Sequence, residues 1–269
     1  MKKIIISVAP VPGDTNNAAP EHVAQEALEA FKAGAAMVHL HVREANGKLT
    51  KDPSVFQDTI SRIRQGSDMI IQGSTGGVSQ MTIEERCAPL NCSLVEMSSL
   101  NAGSVNLGDA VYCNPYREIK YVTEQCRIKG VLPEIEVFEL GMIHNMHLIA
   151  QETELPQPVL FNMVLGHKGG CPATPKTLAL FSQYMPNDAL WGITHFGRQD
   201  DFSILTGALC LGASLVRIGF EDSRHLTKDQ TVEKNAVLVE CMASIITQLG
   251  FKVATPQEAR EMLRLKPVF

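Results

Sequence analysis

Apolar and polar positions follow a repeating cycle along the 269 residues. A β-branched run, KIIISVA, precedes EHVAQEALEAFKAG, whose apolar positions share one helical face and which closes at Gly34. AMVHLHV leads into DPSVFQDTISRIRQ, with Asp52 as N-cap and Pro53 in the first turn. DMIIQGST is followed by TIEERCAPL, SLVEMSS by NPYREIKYVTEQCRIKG, and LPEIEVFE by MIHNMHLIAQE. PVLFNMVLG then pairs with TPKTLALFSQYM, ALWGITHFG with DFSILTGALCLG, and SLVRIGFED with QTVEKNAVLVECMASIITQLG. Eight strand–helix units in order predict a (β/α)8 TIM barrel and not an open doubly wound sheet. No GxGxxG follows the first strand, which argues against dinucleotide binding. No linker or low-complexity stretch divides the chain. Residues 1–269 therefore read as a single barrel domain with a short C-terminal helical tail, ATPQEAREMLRLKPVF, packed on the outside.

Composition narrows the function classes. Apolar residues make up 45% and charged residues 20%, the balance of a soluble globular protein. The net charge is -5 and no basic stretch would track a phosphate backbone, so nucleic acid is not an expected partner. No run has the length of a membrane span. The N-terminal apolar run ends at Pro10, which reads as a first strand and not a targeting segment. Seven irregularly spaced cysteines without a CxxC predict reduced thiols in a cytoplasmic protein.

The chemistry concentrates at the C-terminal ends of the strands, where barrel active sites lie. Side chains alternate faces along a strand, so His39, His41 and Arg43 point into the barrel, and Val38, Leu40 and Val42 toward the helices. Two imidazoles at i and i+2 suit one divalent metal. Glu221, at the end of the eighth strand, would complete the set, a combination that fits zinc or non-haem iron. Arg217 near Asp222 would keep that aspartate ionised, as a base needs. Glu134 and Glu136 share an inward face and need a cation, from Arg217 or Arg43. Ser74 and Thr75 in QGSTGG begin a turn whose backbone N–H groups suit an anion. Ser98, Ser99, Asn101 and Ser104 are expected at the same rim. His195 and Arg198 are expected to line the mouth, and the His167–Lys168 loop to hold a phosphate-bearing cosubstrate. His144 and His147 read as packing residues, and His225 as a solvated loop residue.

In order along nearly the whole chain, VHLHVRE, STGG, EMSSLNAGSVN, PEIEVFELG, VLGHKGGCPATP, VRIGFED and ATPQEAREML resemble the β-keto acid cleavage enzymes, the family that includes the 3-keto-5-aminohexanoate cleavage enzyme of lysine fermentation. The resemblance implies a zinc-dependent (β/α)8 homotetramer that takes a β-keto acid and acetyl-CoA to acetoacetate and a new acyl-CoA. It implies zinc on His39, His41 and Glu221, and Asp222 as the base, tuned by Arg217 with Glu134 or Glu136. Ser74 and Ser99 would hold the substrate carboxylate. Two segments depart from the family pattern. APVPGDTNNAAP offers only Asp14 where a glutamate meets the substrate amine, and THFGR carries His195 and Phe196 in place of small residues. Both bear on the substrate's side chain more than on the reaction class. A metal-dependent hydrolase or aldolase, and a metal-free barrel that binds a small acid, are the competing readings of the same residues.

Overall fold

A computed structural model of the protein describes residues 1–199 and 202–266. Eight parallel strands form the barrel: β1 (Lys3–Val8), β2 (Met37–Leu40), β3 (Ile70–Ser74), β4 (Met97–Asn101), β5 (Leu132–Val137), β6 (Leu160–Leu165), β7 (Leu190–His195) and β8 (Leu215–Ile218). Each pairs with the next, and β8 closes the ring on β1, with Arg217 level with Ser7. Eight helices alternate with the strands: α1 (Pro20–Ala33), α2 (Ser54–Gly66), α3 (Ile83–Arg86), α4 (Tyr116–Lys129), α5 (Leu140–Glu152), α6 (Pro175–Tyr184), α7 (Ser203–Cys210) and α8 (Asn235–Gln248). The expected TIM barrel is the observed fold. Local signals set its ends: Gly34 and Gly130 close α1 and α4 in the left-handed conformation. The expected N-cap Asp52 lies one place before the observed one, Pro53, with its Oδ1 accepting from Ser54 N at 3.0 Å. The predicted start of α7 at Asp201 lies outside the described residues.

The pleat divides the strands into two sets. Outward side chains, such as Ile4, Ile6, Val38, Ile71, Ile135, Phe161, Ile193 and Val216, pack under the helices in one apolar layer. Inward side chains form a floor with one residue from each strand: Ile5, Met37, Ile70, Met97, Leu132, Leu160, Leu190 and Leu215. Two positions further along seven of the eight strands the interior turns polar, with Ser7, His39, Gln72, Ser99, Glu134, Asn162 and Arg217 all buried, while β7 has Gly192 there.

The tail does not lie on the outside as expected. Its helix, α9 (Pro256–Leu263), places Ala259 and Leu263 in the same apolar cluster as the floor residues, closing the N-terminal end of the barrel. A capping box between Thr255 and Glu258 starts it. Glu96 then holds Arg260 through two bonds of 2.6 and 2.9 Å, and Arg64 of α2 at 2.7 Å. Apolar burial sets where this helix sits, because the open end of a barrel exposes the whole floor layer to water.

Two antiparallel hairpins were not legible as strands. One joins Val105–Leu107 to Ala110–Tyr112 beyond β4, and the other joins His225–Thr227 to Gln230–Thr231 beyond β8. Among the described residues, no helix is long and apolar enough to cross a membrane.

Candidate active site

The C-terminal mouth of the barrel opens into a cavity of about 1260 Å³, bordered by Asp14, His41, Arg43, His167, Phe196, Arg217, Glu221 and Asp222. His39 is the penultimate residue of β2, level with Gln72, and His41 follows just past the strand on the same face. Glu221 arrives by a different route from the expected continuation of β8. The strand stops at Ile218, and Gly219 turns at φ 146°, where a Cβ would meet the Ala9 carbonyl oxygen at 2.3 Å. The turn is pinned by Glu221 N donating to Ala9 O and Asp222 N donating to Gly219 O. It aims both carboxylates back over the barrel axis.

Three ligand atoms converge there. His39 Nε2 and His41 Nε2 are 3.4 Å apart, and Glu221 Oε1 lies 3.3 Å from His41 and 3.8 Å from His39. Atoms bound tetrahedrally at about 2.0–2.1 Å from one zinc ion are about 3.3–3.4 Å from each other. The donor set therefore fits a divalent metal, with a position left open for a reactant. These three are the one such cluster among the described residues. Burial pushes His39 down to about 3, which keeps it the neutral imidazole that a metal needs.

Beside the cluster, Arg217 donates to Asp222 through Nε at 3.0 Å and Nη2 at 2.6 Å, to Glu136 through Nη1 at 3.2 Å, and to Glu221 at 3.2 Å. Burial works against its charge, but Asp222, Glu221 and Glu136 more than compensate and hold the guanidinium protonated. The partner of Arg217 is thus Glu136 and not Glu134. Burial pushes Glu136 up to about 8, with Arg217 pulling against it. Asp222 is also raised by burial, and the pull of Arg217 only partly offsets this. The expectation that Arg217 keeps Asp222 ionised omitted that desolvation. A carboxylate raised in this way is a stronger base than a free aspartate.

Glu134 faces the same interior but bonds elsewhere. It accepts from Gln72 Nε2 at 2.7 Å and from Asn162 Nδ2 at 2.6 Å, and Gln72 Oε1 in turn lies 2.6 Å from His39 Nδ1. Gln72 and Asn162 were missed in the sequence. Alternation carried the signal, since each is the polar position two residues after a floor residue, Ile70 or Leu160.

Other expected residues are placed as follows. Ser74 and Ser99 face each other, hydroxyl to hydroxyl, at 3.2 Å. Thr75 donates to the Ser99 carbonyl at 2.6 Å, bracing β3 on β4 instead of facing a substrate. Arg43 is committed to backbone, donating to Gly47 O at 2.5 Å and Gly13 O at 3.5 Å, so it clamps two rim loops and supplies no charge to Glu134 or Glu136. Asp14 sits on the loop so clamped, exposed at the cavity edge. Ser98 points outward to Cys126 Sγ at 3.3 Å, and Ser104 accepts from Asn114 N, so neither joins the rim chemistry. Asn101 accepts from Gly103 N.

Burial pushes His167 down to about 4, and it stacks on Phe196 at the cavity wall with ring centroids 3.6 Å apart. Lys168 pairs with Asp109 at the surface. Arg198 is buried, with its guanidinium over Phe202 and bonded to the His225 carbonyl, so it does not line the mouth. His225 is half-buried in its hairpin, and His144 and His147 are exposed on α5 instead of packed.

A family model of the β-keto acid cleavage enzymes matches residues 3–265. The chain belongs to this family. One such β-keto acid cleavage relative, a 3-keto-5-aminohexanoate cleavage enzyme of Fusobacterium nucleatum, is 37% identical over 99% of both chains. A 3-oxoadipate:acetyl-CoA acetyltransferase of Cupriavidus necator is 33% identical over 97% of this chain and 94% of its own. Among solved structures, ObcA in ternary complex with a C4-CoA adduct and oxalate superposes with a TM-score of 0.74 at 17% identity, covering 91% of this chain and 66% of that one. That likeness speaks to the barrel alone. The family membership makes this chain an enzyme that cleaves β-keto acids.

Proposed function

We propose that the protein condenses a β-keto acid with acetyl-CoA and releases acetoacetate and a new acyl-CoA, using zinc held by His39, His41 and Glu221. The observation that carries this reading is the meeting of those three ligand atoms beside the Arg217-paired carboxylate of Asp222 in one cavity. The acetyl-CoA requirement is supported by the name of the Cupriavidus relative. Zinc, when bound, supplies a Lewis acid for the keto oxygen.

The chain's own residues do the rest. Ser74 and Ser99 offer hydroxyl donors to the substrate carboxylate. Asp222 removes a proton from the carbon between the keto and carboxylate groups, and Arg217 holds its oxygens toward that carbon. The deprotonated carbon attacks the thioester carbonyl and displaces CoA. The released CoA thiolate then adds to the former keto carbon, the carbon–carbon bond beside it breaks, and the acetoacetate carbanion so formed takes the proton back from Asp222. Acyl and acetyl groups are exchanged with no net gain or loss of atoms.

Asp14 favours a substrate with a cationic tail, since it places a carboxylate at the cavity edge. The test is a panel of cationic, neutral and anionic β-keto acids with zinc-loaded protein and acetyl-CoA, reading acetoacetate. Product that requires acetyl-CoA supports the reaction, and preference for cationic tails supports the role of Asp14. Release of products without acetyl-CoA would favour the hydrolase or aldolase reading. The assembly proposed is a homotetramer, checked by the mass of the protein in solution.

A further inference from the structure

A chain of hydrogen bonds runs from His39 to the far side of the barrel, and the chemistry of each group dictates the direction of the next bond. Both oxygens of the buried Glu134 accept, Oε2 from Gln72 and Oε1 from Asn162. Burial raises Glu134, while the amide donors of Gln72 and Asn162 and the charge of Arg217 favour its ionised form, and a carboxylate offers acceptors only. Gln72 must therefore turn its NH2 group to Glu134 and its oxygen to His39 Nδ1, 2.6 Å away. That oxygen can only accept, so the proton of the neutral imidazole sits on Nδ1. The lone pair is left on Nε2, the atom that faces His41 and Glu221. With Gln72 reversed, the proton would sit on Nε2 and point into the centre of the cluster, where a ligating nitrogen must be unprotonated. Asn162 is fixed in the same sense by Glu134, to which only its Nδ2 can donate, and Thr194 Oγ1 accepts from the same nitrogen at 2.9 Å.

We propose that Glu134 is a positioning residue that acts through Gln72 to set the tautomer of His39, so that Nε2 is ready to ligate before any metal arrives. The inference rests on the metal reading above. It separates the two inward glutamates: Glu136 serves Arg217, and Glu134 serves His39.

A reversed pair tests it. Glu134→Gln keeps the shape but removes the acceptor-only partner, so Gln72 loses its orientation. The double variant Glu134→Gln with Gln72→Glu puts the carboxylate next to His39 and the amide behind it, which restores an acceptor at Nδ1. Zinc affinity is measured by chelator competition. Glu134→Gln is expected to weaken it by about 10–100-fold, and the double variant to recover most of that loss. Nitrogen NMR of histidine-labelled, metal-free protein, assigned with His39→Gln, is expected to place the His39 proton on Nδ1 in wild type and to find a mixture of tautomers in Glu134→Gln. Unchanged affinity in Glu134→Gln, or a wild-type proton on Nε2, would overturn the proposal. A failure of wild-type protein to bind zinc would defeat the metal reading by itself, and the NMR result would still decide the tautomer.

Discussion

Arg217 meets Asp222 as a two-pronged clamp, Nε on one carboxylate oxygen and Nη2 on the other, while its remaining nitrogen holds Glu136. The planar fork fixes the plane of the Asp222 carboxylate, which a lysine in its place would not do. Asp222→Asn should keep bound metal and lower kcat by about 10²–10⁴-fold, the usual worth of a general base. Steady-state kinetics with metal content measured on the same sample checks this, and an unchanged rate would reassign the base. Arg217→Met should go further and destabilise the protein by about 3–5 kcal/mol, because it strands buried carboxylates. Urea denaturation reads that cost.

His41→Ala should abolish tight metal binding and leave the barrel folded, since His41 lies at the half-buried edge of the cluster. A ligand at 100 times its Kd stabilises a folded protein by about 2.7 kcal/mol. Added zinc should therefore raise the melting temperature of wild type and leave that of His41→Ala unmoved. Equal rises in both proteins would place the metal elsewhere.

Glu136 ties stability to pH. Its folded carboxyl is pushed up to about 8 from an ordinary 4.5, so between those values the folded state keeps a proton that the unfolded chain has released. Stability then falls as pH rises through that window and is flat above it. Glu136→Gln removes the titration. In metal-free protein, its melting temperature relative to wild type should climb from about pH 4.5 to about pH 8 and then level off. A difference that stays flat across the window would mean that Arg217 keeps Glu136 ionised throughout.

Leu263→Ala tests whether α9 is a structural floor. Leu263 is fully buried against interior strand residues. Truncation should cost about 2–5 kcal/mol by denaturant unfolding. A loss below 1 kcal/mol, the range of surface changes, would return the helix to a peripheral role.

Much of this was legible because a barrel strand carries its own address. Alternation in VHLHVRE put His39 and His41 on the inner face, and the unit count gave the closed ring that brings β8 within reach of β2. Glu221 reaches the two histidines by a route that alternation did not predict, since the left-handed turn at Gly219 delivers it and not the strand. Gln72 and Asn162 were overlooked because a single amide in an apolar strand resembles no motif, although its phase relative to Ile70 or Leu160 marks it. The hairpins carried no Asn-Gly or Asp-Gly signal flanked by long alternating runs. The duties of Arg43 and Thr75 depend on which backbone carbonyls lie nearby, and only the folded loops determine that.

Because floor and chemistry alternate with the outer layer along each strand, a one-residue slip in pairing would invert everything at once. His39, Gln72, Glu134 and Arg217 would be driven into the oily layer beneath the helices, and residues such as Val38, Ile71, Ile135 and Val216 into the barrel axis. A misaligned strand would thus bury charges without partners and be rejected during folding. The groups that make the barrel reactive also act as its alignment marks.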